Sequence, residues 1–277
     1  MVLEGGAMRG MYTAGVLDVM MEQNICVDGV IGVSAGAVFG CNYISHQIGR
    51  TIRYNLKYCR DPRYMSVRSL LKTGDLYGVD FCYHELPQKL DPFDQKAFEA
   101  SSVEFYVVCT DVRTGKAVYH RCDKRDAEDL EWMRASASMP GASRVVEIGT
   151  ERLLDGGIAD SIPLRYFNRI GYHKNIVVLT RPRGYKKSAN RFLGLMKPAL
   201  KKYPAVIEAM AGRHIMYNKE LKLTEKLAEE GRIFLIRPSR DLKVGRTERN
   251  PKKLKALYQL GREDAAARLE EMRRFLQ

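Results

Sequence analysis

Residues 27 to 44 read VDGVIGVSAGAVFGCNYI, a short apolar run that stops at Gly32 and resumes after Ser34 as a stretch of small residues. The run VDGVIGV has the length and β-branched content of a buried strand, and AGAVFGCNYISHQI has the small-residue spacing of a closely packed helix. A Gly-x-Ser-x-Gly at such a junction puts the serine on a strained turn, with its hydroxyl exposed and a helix N-terminus behind it. Because Gly, Ser and Ala are common in any tight turn, the pattern alone leaves Ser34 either a nucleophile or a small turn residue. Its surroundings have to decide.

Upstream, VLEGGAMRG is followed by apolar residues at Met11, Ala14, Gly15, Leu17, Val19, Met20 and Met21, close to a 3.6-residue period, which predicts a helix ending near Gln23 or Asn24. Strand, Gly-rich turn, helix, strand, Gly-x-Ser-x-Gly turn, helix is the opening of an α/β protein with a parallel sheet. Farther along, VEFYVVCTDV and KAVYHRC read as strands joined around Thr114 and Gly115. AEDLEWMRASAS is helical and is stopped by Pro140, and RVVEI and ERLLDGG read as strands flanking Gly149. KNIVVLTRP suits the middle of a sheet, and the rest is mainly helical apart from one strand, RIFLIRPS.

With 277 residues, 45% of them hydrophobic and 29% charged, the chain has the composition of a soluble globular protein with one large domain, or one domain and an appendage. No apolar run approaches the roughly eighteen residues of a membrane span, and the start lacks a signal-peptide pattern, so a cytoplasmic location is expected. The six cysteines are widely spaced with no C-x-x-C, which suggests neither a zinc site nor a disulfide framework. Charge is uneven: from Arg181 onward there are 25 Lys and Arg against 11 Asp and Glu, whereas residues 1 to 180 hold 21 against 22. A basic final third can face an anionic membrane surface or nucleic acid, or can simply be a solvated helical surface.

Acyl transfer needs backbone N–H donors aimed at the oxyanion, and a base. LEGGAMRG supplies a plausible oxyanion hole, because Gly5 and Gly6 let successive amides converge at a helix start. Arg9 could hold that loop or steer an anionic head group. A dinucleotide-binding turn would also follow a first strand, but G-x-G-x-x-G fails at its second glycine, where Ala7 stands. None of His46, His84, His120, His173 and His214 lies in a motif that marks a catalytic histidine. RLLDGGIADSIPL offers another base: Asp155 ends an apolar strand, and Gly156 and Gly157 would let another backbone, such as the Ser34 turn, approach closely. A carboxylate with a reference pKa near 3.9 is a weak base toward a hydroxyl unless burial raises it, so that site would have to be fairly dry.

EGGAMRG, GVSAG, RASASMPGAS and DGG, in that order from the start of the chain to about Pro182, closely resemble the patatin-like phospholipase family. The resemblance implies a three-layer α/β/α sandwich with a mostly parallel central sheet, and a Ser–Asp dyad with no histidine, metal or cofactor. Ser34 then matches the nucleophile and Asp155 the general base. Gly5, Gly6, Ala7, Met8 and Arg9 match the oxyanion loop, with Gly10, Gly32, Gly36, Gly156 and Gly157 supporting the motifs. Ala7 stands where the family usually has a third glycine and Glu4 where an aspartate is common; the hole is expected to survive if the φ of Ala7 is negative. The first strand looks short, which points to a trimmed or misassigned start.

The domain expectation is a catalytic core over 1–182 and a basic, mainly helical region over 183–277 packed on it. The function expected is hydrolysis of lipid acyl esters, of phospholipase or lysophospholipase type. The alternatives are a soluble carboxylesterase or thioesterase on the same fold, and a non-catalytic lipid-binding regulator, which would have no physical reason to keep both Ser34 and Asp155. The partners expected are a lipid or acyl-ester substrate and peripheral contact with an anionic membrane. Nucleic acid is not expected, because the basic third lacks any reader motif.

Overall fold

The central strands, Val2–Leu3, Gly29–Val33, Glu104–Asp111 and Asn175–Val178, are almost wholly buried, as runs such as GVIGV require when a sheet is covered on both faces, whereas the edge strand Ala117–Arg121 is half-exposed. The computed structural model describes all residues 1–277. Its eight strands are β1 (Val2–Leu3), β2 (Gly29–Val33), β3 (Glu104–Asp111), β4 (Ala117–Arg121), β5 (Val146–Ile148), β6 (Glu151–Asp155), β7 (Asn175–Val178) and β8 (Ile233–Ile236). They form one sheet in the order β5-β6-β3-β2-β1-β7-β8, with β4 paired to β3. The β3-β2-β1-β7-β8 part is parallel, and β4, β5 and β6 join antiparallel.

Helices cover both faces: α1 (Met11–Glu22), α2 (Ala35–Ile44), α3 (Arg50–Tyr58), α4 (Val67–Thr73), α5 (Gln95–Ala100), α6 (Ala127–Ser136), α7 (Leu164–Arg169), α8 (Leu193–Met196), α9 (Pro204–Glu229), α10 (Pro251–Ala267) and α11 (Leu269–Leu276). A wide-turn helical segment spans Asp80–Leu90. Alternation along the strands separates the two cores, as a two-residue side-chain period demands. Leu3, Val30, Phe105, Val107 and Val178 face one cluster, which includes α1, α2, α3 and α10. Val2, Ile31, Val33, Val108 and Val177 face the other, with Phe167 of α7 and Tyr217 and Leu221 of α9. The result is the expected three-layer α/β/α sandwich.

The region after Pro182 shares these cores. α10 crosses α1 backbone to backbone: a β-carbon at Gly15 would meet the Tyr258 carbonyl at 2.1 Å, and one at Gly261 would meet the Tyr12 carbonyl at 2.1 Å. β8 extends the sheet beside β7, and α9 lies over the face opposite α1.

Candidate active site

The register of β3 brings the two sequence-predicted reactive residues together. β2 pairs with the first part of β3, ending at Val33 opposite Val108, and β6 pairs with the rest, beginning at Asp155 opposite Cys109. β4 occupies the other edge of β3 over Tyr106–Thr110, so β2 and β6 meet end to end on one edge. Ser34 is the residue after Val33, and its hydroxyl lies near enough to the Asp155 carboxylate to favour the ionised form of that group, while Asp155 Oδ1 itself accepts from the Gly157 amide.

Each side chain is held from behind. Ser34 has φ 55° and ψ −123°, a strained backbone at the start of α2 that leaves it half-buried and facing a cavity. Its N–H donates to Ser136 Oγ at 2.8 Å, and Ser136 Oγ–H donates to the Val108 carbonyl at 2.6 Å. Asp155 is 2% exposed; its Oδ1 accepts from the Gly157 amide at 2.8 Å, and its own amide donates to the Ser138 carbonyl at 2.8 Å. Burial pushes its pKa above the usual carboxylate range, opposed first by the charge of Arg213 and then by the Ser34 hydroxyl. Ser136, in the RASASMPGAS stretch, is wholly buried and holds the Ser34 backbone. Asp111 stays in the hairpin, its Oδ1 accepting from the Arg113 amide at 2.8 Å.

Three of the loop amides, those of Gly5, Gly6 and Ala7, have no protein acceptor, whereas that of Arg9 donates to Gly6 and that of Met8 to the Arg246 carbonyl at 3.2 Å. Met8 is therefore not an oxyanion donor; its side chain lines an apolar cavity. Gly5 has to be glycine, since a β-carbon there would sit 2.7 Å from the β-carbon of Ser34. Contrary to the expectation, Ala7 has φ 49°; alanine takes under strain the left-handed backbone that a glycine would adopt freely, so the loop keeps that conformation and the Ala7 amide stays without a protein acceptor despite the positive φ. Gly10, Gly32 and Gly36 would place a β-carbon 2.7 Å from the Phe39 ring, 2.6 Å from the Ala37 backbone and 2.4 Å from the Leu3 carbonyl. At Gly156 the close neighbour is the Val108 carbonyl, 2.1 Å from a β-carbon, and not the Ser34 turn; the β6–β3 ladder brings that strand closest. Gly157 instead faces Arg213.

Ser34 lies between two cavities. One, of about 170 Å³, is mainly apolar and includes Met8, Phe39, Tyr54, Leu86, Phe93 and Met133; Arg50 and Tyr54 come from α3, which follows α2. The other, of about 340 Å³, is polar and carries Asp155 together with Arg9, Arg181, Lys187, Arg213 and Arg246. Arg9 is 8% exposed, and burial with the nearby charges of Arg181 and Arg246 lowers its pKa to about 10. Neither cavity is lined by a histidine. His120 is packed against Trp132 and bonded to Asp129 at 2.5 Å, and the thiol of Cys122 lies close to both side chains. The four cations beyond residue 180 were missed from sequence, where their only signal is the basic composition.

Comparison with known proteins gives the family of the chain. The family model described as patatin-like phospholipase matches residues 1–168, and residues 203–277 match a domain of unknown function. The chain is similar to the uncharacterized protein YjjU of Escherichia coli, 27% identical over 95% of this chain and 74% of that one. It is also 27% identical to the uncharacterized NTE family protein Rv1063c of Mycobacterium tuberculosis, over 59% of this chain and 44% of that one. Lysophospholipase nte1 of Emericella nidulans is 27% identical over 62% of this chain, a span that is only 11% of its own length. The motifs, the sandwich and the matched residues place the chain in one group: it belongs to the patatin-like phospholipase family.

Proposed function

We propose that the protein hydrolyses lipid acyl esters with Ser34 as nucleophile and Asp155 as its only general base. The observation that carries this reading is the register of β3, which sets the strained Ser34 beside a buried, desolvated carboxylate with no histidine in either cavity. Asp155 accepts the Ser34 proton as the oxygen attacks the ester carbonyl, and the free amides of Gly5, Gly6 and Ala7 stabilise the oxyanion. Protonated Asp155 then gives its proton to the leaving alcohol, leaving an acyl-Ser34 ester. In the second half Asp155 takes a proton from water, whose oxygen attacks the acyl carbon, and returns that proton to Ser34 as the acid leaves. The raised pKa of Asp155 favours the two transfers in which it accepts a proton.

The apolar cavity on one side of Ser34 is suited to the acyl chain. Peripheral contact with an anionic membrane is supported by Phe192 and Leu195, 69% and 80% exposed, in a segment that also holds Arg191, Lys197, Lys201 and Lys202. The test is labelling with an alkyl fluorophosphonate followed by peptide mapping, together with p-nitrophenyl butyrate hydrolysis by Ser34→Ala and Asp155→Asn. The label is expected on Ser34, with both variants down by about 10² or more. A label elsewhere, or an active Asp155→Asn, defeats the dyad.

A further inference from the structure

The polar cavity holds more positive charge than the ester chemistry uses. Arg9, Arg181, Lys187, Arg213 and Arg246 line it with Ser34, and two carboxylates share it. Of these, Glu4 is tied to Tyr217 Oη at 2.7 Å and to the Thr180 amide and hydroxyl at 2.6 and 3.0 Å, and Asp155, beside Ser34, offsets part of the Arg213 charge without forming an ion pair with it. Elsewhere in the molecule Arg144, Arg237 and Arg262 each hold a carboxylate, but none of these five does. The Nε groups of Arg9 and Arg181 are buried without an acceptor. A buried guanidinium N–H left unpaired is costly, so such a cluster calls for an anion.

We propose that this cavity binds a phosphate monoester head group, so that the substrate is a single-chain acyl glycerol phosphate whose ester lies at Ser34, acyl chain in the apolar cavity and phosphate among Arg9, Arg181, Lys187, Arg213 and Arg246. The proposal rests on the hydrolase reading of Ser34. A phosphate monoester brings a charge of about −1.5 to −2 near pH 7 and three strong acceptor oxygens, which matches converging guanidinium and ammonium donors. A choline head would add a cation to a cationic pocket. Quaternary ammonium groups are bound on aromatic faces, and of the three tyrosines here two are already covered by cations, Arg181 lying 4.3 Å from the centre of the Tyr185 ring and Lys187 4.2 Å from that of Tyr217, while Tyr77 packs edge-on with Tyr64 at 5.7 Å and offers no cage by itself. Burial and the charges of Arg213 and Arg246 lower the Lys187 pKa to about 7, a strain that a bound dianion relieves.

Four of the five cations come from beyond residue 180, and two, Arg213 and Arg246, from the domain of unknown function. The Arg246 carbonyl also accepts from the Met8 amide and ties that domain to the oxyanion loop. Completing the head-group site is thus a function of the C-terminal region.

The test compares 1-oleoylglycerol 3-phosphate, 1-oleoylglycerol and the choline ester of the same phosphate in mixed micelles, with the full chain and with the double variant Arg181→Gln/Lys187→Gln. The wild type is expected to prefer the phosphate monoester over 1-oleoylglycerol in kcat/KM by at least about thirtyfold, as two charge-assisted contacts allow. In the double variant that ratio is expected to fall toward one, with circular dichroism and thermal midpoint retained, and inorganic phosphate is expected to compete with the phosphate substrate in the wild type. A ratio near one in the wild type, or a preference for the choline ester, with fluorophosphonate labelling of Ser34 intact, overturns the head-group assignment and leaves the hydrolase reading standing. If inorganic phosphate instead stimulates 1-oleoylglycerol hydrolysis, the pocket is a site for a free anion and the assignment is also overturned. No labelling, and no hydrolysis of any of the three, defeats both.

Discussion

Arg213 sets the pH at which the proposed base works, and changing it should move that pH by a measurable amount. Arg213 Nη2 and Asp155 Oδ1 each lie 3.1 Å from the point where a β-carbon of Gly157 would sit, so they are within about 6 Å of one another. Two unit charges at that distance attract by about 0.7 kcal/mol in a water-like dielectric and about 2.7 kcal/mol at an effective dielectric of 20. That corresponds to about 0.5 to 2 pH units. Burial raises the Asp155 pKa and Arg213 is the largest opposing influence, so removing its charge raises the pKa further. A general base acts only when ionised, so the acid limb of the kcat/KM profile in Arg213→Gln should move to higher pH by that amount, and Arg213→Lys should return most of the shift. A neutral short ester such as p-nitrophenyl butyrate is the substrate to use, because it keeps the phosphate pocket out of the measurement. An acid limb at the wild-type pH in Arg213→Gln, with native circular dichroism, would refute the electrostatic role assigned to Arg213.

Ser136→Ala leaves the Ser34 amide and the Val108 carbonyl without their shared hydroxyl; the expected cost is about 1–3 kcal/mol, with a several-fold lower kcat at unchanged KM because the elbow loosens. A lowered thermal midpoint with wild-type kcat would make Ser136 structural only. A carboxyl pair, Glu220 and Asp160, anchors α9, which carries Arg213: Glu220 accepts from the Ser161 and Ile162 amides at 3.1 Å each, and burial followed by the Asp160 charge pushes its pKa up to about 9. A pKa raised on folding contributes stability that is fully present below the unfolded value and fades as pH rises through the folded one, so Glu220→Gln should gain on the wild type by about 1 kcal/mol or more between pH 5.5 and 8.5 in urea unfolding. A gap that does not change with pH would mean that the pair shares no proton.

The part of the site that sequence made legible is the part built from the backbone. Gly5, Gly32, Gly36 and Gly156 are required because main chains meet within van der Waals distance there, and a glycine in a motif reports such an approach directly. The sandwich was legible for a related reason: a strand buried on both faces needs an unbroken apolar run, and β2 and β7 supply one. Ser34 and Asp155 could be named, but not the cause of their meeting, since the end-to-end abutment of β2 and β6 on β3 depends on a register that no local pattern encodes. Ser136 could be seen only as a serine, because a hydroxyl that bridges an amide 102 positions away and a carbonyl 28 positions away in the chain leaves no spacing to read.

The cations show the opposite limit. A lysine or arginine on a helix reads as a solvated surface charge unless something on the other side of the molecule covers it. Arg213 sits in α9 among Lys and Glu residues that do face solvent, and only the packing of α9 over the sheet turns that one side chain toward Gly157. Arg246 reaches the pocket from a loop whose position depends on the α1–α10 crossing, which in turn depends on Gly15 and Gly261. The excess charge of the last third was therefore visible as a number, while its convergence on Ser34 is a property of the tertiary fold. Under the proposed function, a basic extension that closes the site in this way would confine the choice of head group to the region least like a motif, and the catalytic blocks could stay the same while that choice changed.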